Sequence, residues 1–162
     1  MNYCMKIKVG FGYDVHQLAE GESLVLGGIP INYHRGCVAH SDGDVLIHAI
    51  CDALLGAANL RDIGYHFPDT SKKFEKIDSK ILLKQTVDLL AEKGYSVSNI
   101  DSTIAMQKPK LKDLIPQMIE TLASVIGIDK DDISIKATTT EKLGHVGREE
   151  GVDAYAVVLI TR

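Results

Sequence analysis

Residues 6–16 read KIKVGFGYDVH, and their alternation decides how the chain folds. Ile7, Val9, Phe11 and Tyr13 fall on one face of an extended segment and Gly10 and Gly12 on the other, which predicts a strand over Lys6–Tyr13. Glycine inside a strand marks a place where something approaches the backbone closely. Asp14 and His16 continue the two-residue period, so a carboxylate and an imidazole can address one point in space. A strand end that happens to carry Asp-x-His would look the same, because so short a motif often has no function.

The next stretch, His40-Ser41-Asp42-Gly43-Asp44, leads into a helical pattern that carries His48. Ser41 is expected to cap this helix, with Asp42 and Asp44 in its first turn against the positive end of the dipole. The helix should run to about Asn59, with Val45, Ala49, Ile50, Ala53, Leu54 and Ala57 as its apolar stripe. If it packs beside the strand end, His48 joins Asp14 and His16. One carboxylate and two imidazoles leave the fourth position of a tetrahedral divalent ion free, as in a working metal site rather than a closed structural one. Asp44 and Asp52, four residues either side of His48, are expected to support it. Equally, His48 and Asp52 at the stripe's margin would satisfy each other as partly buried polar residues.

Outward from this centre, Ser23–Leu26, Gly27-Gly28 and Ile29–Tyr33 read as a small hairpin with Pro30 on an edge strand. His34-Arg35-Gly36 then turns the chain away. Leu60–Ser71, LRDIGYHFPDTS, has no sustained period and reads as a long ordered loop. A second helix fits Ser79–Lys93, ended by Gly94, and Tyr95–Gln107 reads as a long strand. Lys108-Pro109-Lys110 breaks that strand and feeds a helix over Leu111–Ile126, with Pro116 in its first turns and Gly127 closing it. Ile133, Ile135 and Ala137 alternate as a strand, and Val152–Ile160 forms the last, an apolar run suited to a buried position. The expected fold is α+β in one domain over residues 1–162: a mixed sheet with helices mainly on one side, a β-α-β-α-β-β core plus the hairpin.

The chain of 162 residues is 45% apolar and 25% charged, as in soluble globular proteins, and with a net charge of −4 it shows nothing like a basic stripe for nucleic acid. An anionic substrate would therefore have to be held by local groups and metal ions. Cys4, Cys37 and Cys51 show neither zinc-ribbon nor redox spacing, and reduced thiols in the cytoplasm are the plain expectation. No signal-like segment and no membrane-length apolar run is visible.

Between the last two strands lies Ala137-Thr138-Thr139-Thr140-Glu141-Lys142-Leu143-Gly144, followed by His145-Val146-Gly147-Arg148. Three threonines at a strand end offer donors to phosphate, and the adjacent carboxylate can hold a hard cation. Starting a short helix would also account for Thr140 and Glu141. Taken together, DVH, AHSDGDV with His48, DIGYHFPDT, ATTTEKLG and GREEG resemble the 2-C-methyl-D-erythritol 2,4-cyclodiphosphate synthases of the non-mevalonate isoprenoid pathway, in order, from about Val9 to Val158.

The resemblance implies the conversion of 4-diphosphocytidyl-2-C-methyl-D-erythritol 2-phosphate to the cyclic diphosphate with release of CMP. It also implies a homotrimer whose sheets pack around the threefold axis, with active sites between subunits. By matching motifs, Asp14, His16 and His48 would bind zinc, and Glu141 would help hold magnesium or manganese on the diphosphate. His40 and Thr139 would stabilise the transition state. Asp14, Val15, His16, His40 and Ser41 would line the substrate, and Asp62, Ile63, Gly64, Phe67, Pro68, Asp69, Thr70 and Ser71 would hold the methylerythritol and its phosphate. Met106, Gln107, Lys108, Pro109, Lys110, Leu111 and Lys112, with Thr138, Thr139, Thr140 and Glu141, would form the cytidine and diphosphate pocket. His145 and Arg148 are included among the substrate contacts.

The pattern departs at His145, where many relatives carry an aromatic, and at Tyr13, where they carry phenylalanine. With Arg148 these positions line a cavity on the trimer axis, where some relatives bind isoprenoid diphosphates, and a histidine makes that wall more polar. Arg148 could equally pair with Glu149 or Glu150 of a neighbour. Two other functional classes use the same residues: a zinc-dependent phosphohydrolase that activates water, and a non-catalytic trimer in which the metal only ties helix to strand.

Overall fold

The computed structural model describes residues 5–162; Cys4 lies outside them. Its centre is a five-stranded mixed sheet in the order β4-β1-β7-β5-β6, built from β1 (Ile7–Glu20), β4 (Arg35–Val38), β5 (Ser96–Ala105), β6 (Ile133–Thr138) and β7 (Gly151–Thr161). β5 and β6 are parallel and the other pairs antiparallel. β2 (Leu24–Leu26) and β3 (Ile29–Ile31) form the separate hairpin, with Val25 opposite Pro30.

β1 continues seven residues beyond the expected Tyr13, so Asp14 and His16 lie within the strand rather than at its end. Its register against β7 sets Gly12 opposite Ala156, Asp14 opposite Ala154 and His16 opposite Val152. α1 (Val45–Ala57) lies across this face. A β-carbon on Gly10 would stand 1.8 Å from the Ala53 carbonyl oxygen, and one on Gly12 would stand 1.9 Å from that of Ala49. Only glycine opposite a small-residue stripe lets strand and helix approach so closely. Leu46, Ile50 and Leu54 of α1 and Val158 and Ile160 of β7 are fully buried in the core formed there; each such side chain contributes about 1.5–3 kcal/mol on burial.

The other face of β1 is the unexpected one. Ile7, Val9, Phe11, Tyr13 and Val15 point outward, with Val9 64% and Phe11 65% exposed, and Tyr155 and Val157 of β7 extend the same strip. β7 is thus buried on one side only.

α3 (Ser79–Glu92) and α4 (Ile115–Ile126) complete the helical layer, which covers one face of the sheet as expected. Several boundaries differ from the sequence reading. Asp44, not Ser41, caps α1: its side chain accepts from Ile47 N, and Gly43 at φ +74° keeps the preceding residues out of the helix. α4 starts at Ile115, because Leu111–Leu114 forms a tight turn, with Leu114 N donating to Leu111 O at 2.9 Å. β4 occupies the segment expected to turn away, pairing Arg35 with Glu20. The expected 60–71 loop contains a one-turn helix, α2 (Ile63–His66), capped by Asp62, and another, α5 (Gly144–Gly147), follows the threonine cluster.

Candidate active site

β1 delivers Asp14 and His16 to the helix side of the sheet, and α1 delivers His48 one turn after it begins. Asp14 Oδ2 lies 3.1 Å from His16 Nδ1 and 3.1 Å from His48 Nδ1, and the two imidazole centroids are 5.1 Å apart. Among the described residues these three form the one group of metal-type ligands, with their donor atoms all within 4.8 Å of one another. His16 Nδ1 is buried and, although close to the carboxylate, is out of line for a hydrogen bond and makes none. A buried polar atom without a partner is costly, and a cation among the three donors would satisfy it. The residues therefore fit a metal ion. Burial raises the Asp14 pKa, but the two imidazoles of His16 and His48 pressed against the carboxylate outweigh it and bring the carboxyl down to about 2. Burial lowers that of His16, and the neighbouring Asp14 carboxylate overrides it, leaving the imidazole above its ordinary value.

Asp44 and Asp52 do not support His48 directly. Asp44 is fully buried and accepts from Gly27 N at 3.0 Å and Gly28 N at 2.6 Å, locking the β2–β3 turn onto α1. Asp52 accepts from Ile63 N at 2.7 Å and so anchors α2 beside the cluster. Oxygen partners of His48 Nε2 come instead from Ser79, at 3.0 Å, and Ser41, at 3.2 Å.

The cluster opens into a cavity of about 350 Å³ lined by His16, His40, Ser41, His48, Ile63, Gly64, Phe67 and Asp69, with Phe74, Ile77 and Leu82 as apolar wall. Four of the eight expected loop residues, Ile63, Gly64, Phe67 and Asp69, thus gather there. His40 Nε2 lies 3.1 Å from the Ser71 carbonyl oxygen, which ties the loop to the segment before α1. Asp62 spends its carboxylate on Tyr65 N, at 2.9 Å, and Pro68 and Thr70 are not among the lining residues. Val15 points to the outer face, so its side chain cannot reach this cavity.

A second depression of about 420 Å³ is lined by Met106, Pro109, Lys110, Leu111, Lys112, Ile115, Ala137, Thr138 and Thr139. At its border Thr139 Oγ1 donates to Glu141 Oε1 at 3.1 Å, Thr140 Oγ1 donates to Leu143 O at 2.6 Å, and Gln107 Oε1 accepts from Lys142 N at 3.4 Å. Lys108 is turned toward Glu149, 3.2 Å away. No residue lines both cavities, so His40 and Thr139, expected to act together, occupy different ones within a chain. Glu141 is likewise outside the metal-type group.

His145 and Arg148 line neither cavity. His145 Nε2 lies 2.7 Å from the buried Asp153 Oδ1, on the outer face, where the rings of Tyr13 and Tyr155 meet at a tilt of 38°. Arg148 makes a two-pronged contact with Glu150 of its own chain, at 3.1 and 2.9 Å. The sequence reading also passed over Ser79 and the apolar wall. Ser79 lies 31 residues from His48, and no local pattern connects them.

A carboxylate and two imidazoles on a sheet-and-helix frame, open to a cavity, are a donor set that could hold a metal ion beside a substrate, as in an enzyme active site. The family model described as the YgbB family matches residues 7–161. The chain is 68% identical, over 98% of its length and 99% of the relative's, to the 2-C-methyl-D-erythritol 2,4-cyclodiphosphate synthase of Bacteroides fragilis. It superimposes with a TM-score of 0.94 and 45% identity on the bifunctional IspDF of Campylobacter jejuni, over 98% of this chain and 43% of that one. A 2C-methyl-D-erythritol-2,4-cyclodiphosphate synthase in a CDP-bound form matches with a TM-score of 0.88 and 34% identity, over 94% and 99% of the two chains. The chain belongs to the YgbB family.

Proposed function

We propose that the chain, as a single synthase domain, carries out the reaction for which these relatives are named: 4-diphosphocytidyl-2-C-methyl-D-erythritol 2-phosphate closes to 2-C-methyl-D-erythritol 2,4-cyclodiphosphate and CMP leaves. The observation that carries this reading is the Asp14/His16/His48 cluster opening on a cavity walled by the 63–69 loop.

The chemistry explains why no nucleophilic side chain is needed. The 2-phosphate is already anionic near neutral pH, so one of its oxygens forms the bond to the β-phosphorus. The bond from the β-phosphorus to the bridging oxygen breaks, and CMP takes that electron pair. What remains for the protein is to place the attacking oxygen in line and to balance charge. Asp14, His16 and His48 would hold zinc and Glu141 would share magnesium or manganese with the phosphates, the ions supplying positive charge to the diphosphate. His40 and Ser41, beside the cluster, orient the phosphates, with His40 and Thr139 bearing on the transition state. Ile63, Gly64, Phe67 and Asp69 shape the methylerythritol end, and the 106–112 and 138–140 segments, which line the second depression, hold the cytidine and its diphosphate; that a 34%-identical relative has a CDP-bound form supports a cytidine nucleotide as ligand.

Two features support a homotrimer with sheets around the threefold axis and sites shared between subunits. The two cavities have no residue in common, and the outer face of β1 and β7 exposes a continuous apolar strip of the kind that marks an interface. Free Cys37 and Cys51 and the net charge of −4 favour a cytoplasmic protein that binds no nucleic acid. Among the described residues no helix is long and apolar enough to cross a membrane.

The test is incubation of the purified protein with the diphosphocytidyl 2-phosphate substrate, with and without chelator. CMP and the cyclic diphosphate should appear together and only with metal. Linear hydrolysis products would instead make the chain a metal-dependent phosphohydrolase, and a folded, metal-loaded trimer without turnover would make the ion structural.

A further inference from the structure

The hydrogen bonds behind His48 assign its protons. Ser79, the first residue of α3, is fully buried, and its hydroxyl lies 3.0 Å from His48 Nε2. That hydroxyl donates to Asp42 Oδ1, while Asp42 Oδ2 accepts the Ser79 backbone N–H at 2.9 Å. A carboxylate only accepts, and a serine hydroxyl has one proton to give. With that proton committed to Asp42, Ser79 Oγ can only accept from His48, so the imidazole hydrogen sits on Nε2. The lone pair is then on Nδ1, the nitrogen that faces Asp14 Oδ2 across 3.1 Å. With the neutral imidazole in this tautomer, two acceptors face each other at that distance, which a shared cation stabilises.

We propose that Ser79 and Asp42 are positioning residues of the metal centre: a carboxylate–hydroxyl–imidazole chain that fixes which nitrogen of His48 binds the ion and where it points. The inference rests on the metal-site reading above. An imidazole is rigid, so anchoring Nε2 aims Nδ1. Partners of this kind commonly set the tautomer and the basicity of a metal-bound histidine. The anchor is itself fixed by backbone: Asp42 N donates to Ile77 O at 3.1 Å and Lys76 N donates to His40 O at 2.7 Å. The segment before α1 is thereby zipped to the segment before α3. Ser41 Oγ, 3.2 Å from the same Nε2, already accepts from Gly43 N at 3.2 Å and gives the proton a second acceptor without changing its assignment.

If Asp42 and Ser79 served only to start α3, their loss would cost stability and leave the ion untouched. The experiment compares wild type, Ser79→Ala and Asp42→Asn, each stripped of metal, by competitive zinc titration and circular dichroism. In parallel, nitrogen NMR of the zinc-loaded wild type, labelled at histidine, reads which His48 nitrogen carries hydrogen. The expected result is hydrogen on Nε2, zinc on Nδ1, and a loss of about 10- to 100-fold in zinc affinity in both variants. Should Ser79→Ala fail to fold, Asp42→Asn and the wild-type spectrum decide the matter. Zinc on Nε2, or wild-type zinc affinity in the folded variants, would overturn the proposal. Wild type that binds no zinc would remove the metal centre itself, a distinct outcome.

Discussion

Gly12 and Ala49 set the distance between the two elements that carry the Asp14/His16/His48 cluster: a β-carbon on Gly12 would lie 1.9 Å from the Ala49 carbonyl oxygen. Gly12 is two residues before Asp14, and Ala49 directly follows His48. Gly12→Ala must therefore push α1 off β1 and draw His48 away from Asp14. Overpacking of this kind costs about 1–3 kcal/mol, more when backbone has to move. Urea unfolding should show that loss, and zinc per chain should fall with it. Unchanged stability and zinc content would mean that the close contact does not set the ligand spacing.

The same residues show how far the sequence could be read. The alternation of residues 6–16 locates β1, and its glycines announce a close neighbour, yet the pattern does not say which face is buried. The glycine face is covered by α1, and the apolar face is the open one. Long periodic segments such as α3, β5 and β7 carry enough repeats to be recognised, whereas β4, α2 and α5 span four residues each and carry no period. Ser41 and Asp44 are both good capping types, and the positive φ of Gly43 decides between them. Asp14 and His16 are legible because their relation is local. Ser79 is not, because it is brought to His48 only by the pairing of two distant loops.

Proton and metal compete for the cluster, and the signs can be worked out. The Asp14 carboxyl is held down to about 2, so its pairing stabilises the folded chain above the ordinary carboxylate range near ~3.9 and is lost as pH falls toward about 2. His16 titrates above 6.5, so in the metal-free protein its contribution is complete below 6.5 and is lost as pH rises through the raised value. A metal needs the neutral imidazole, so its affinity rises over the same interval. Between roughly pH 6 and 8, the melting temperature of stripped protein should fall while the gap between loaded and stripped protein widens. A gap independent of pH would contradict the assignment of His16 as a ligand.

Glu141 stands beside Thr139, with φ +53°, and outside the Asp14/His16/His48 group. Glu141→Gln keeps an oxygen for the Thr139 hydroxyl and removes only the charge. Its effect should fall on the second cation: the magnesium needed for half-maximal turnover should rise on the order of tenfold, the equivalent of about 1.4 kcal/mol. Zinc content should stay the same. An unchanged magnesium titration would take Glu141 out of the diphosphate site.

His48 and Thr139 line different cavities of one chain, which makes subunit sharing testable with two inactive proteins. His48→Ala removes one donor of the proposed zinc site and should lose zinc and turnover while keeping the wild-type oligomeric state. Thr139→Ala should keep zinc and lose turnover. If each site joins the first cavity of one subunit to the second depression of its neighbour, random exchange of equal amounts leaves an intact pair wherever a Thr139→Ala chain supplies His48 and a His48→Ala chain supplies Thr139. In a closed ring this gives roughly a quarter of all sites, so activity should recover from near zero to about that fraction of wild type as exchange proceeds. Activity that stays at the level of the separate variants, after exchange has been demonstrated, would confine each site to a single chain.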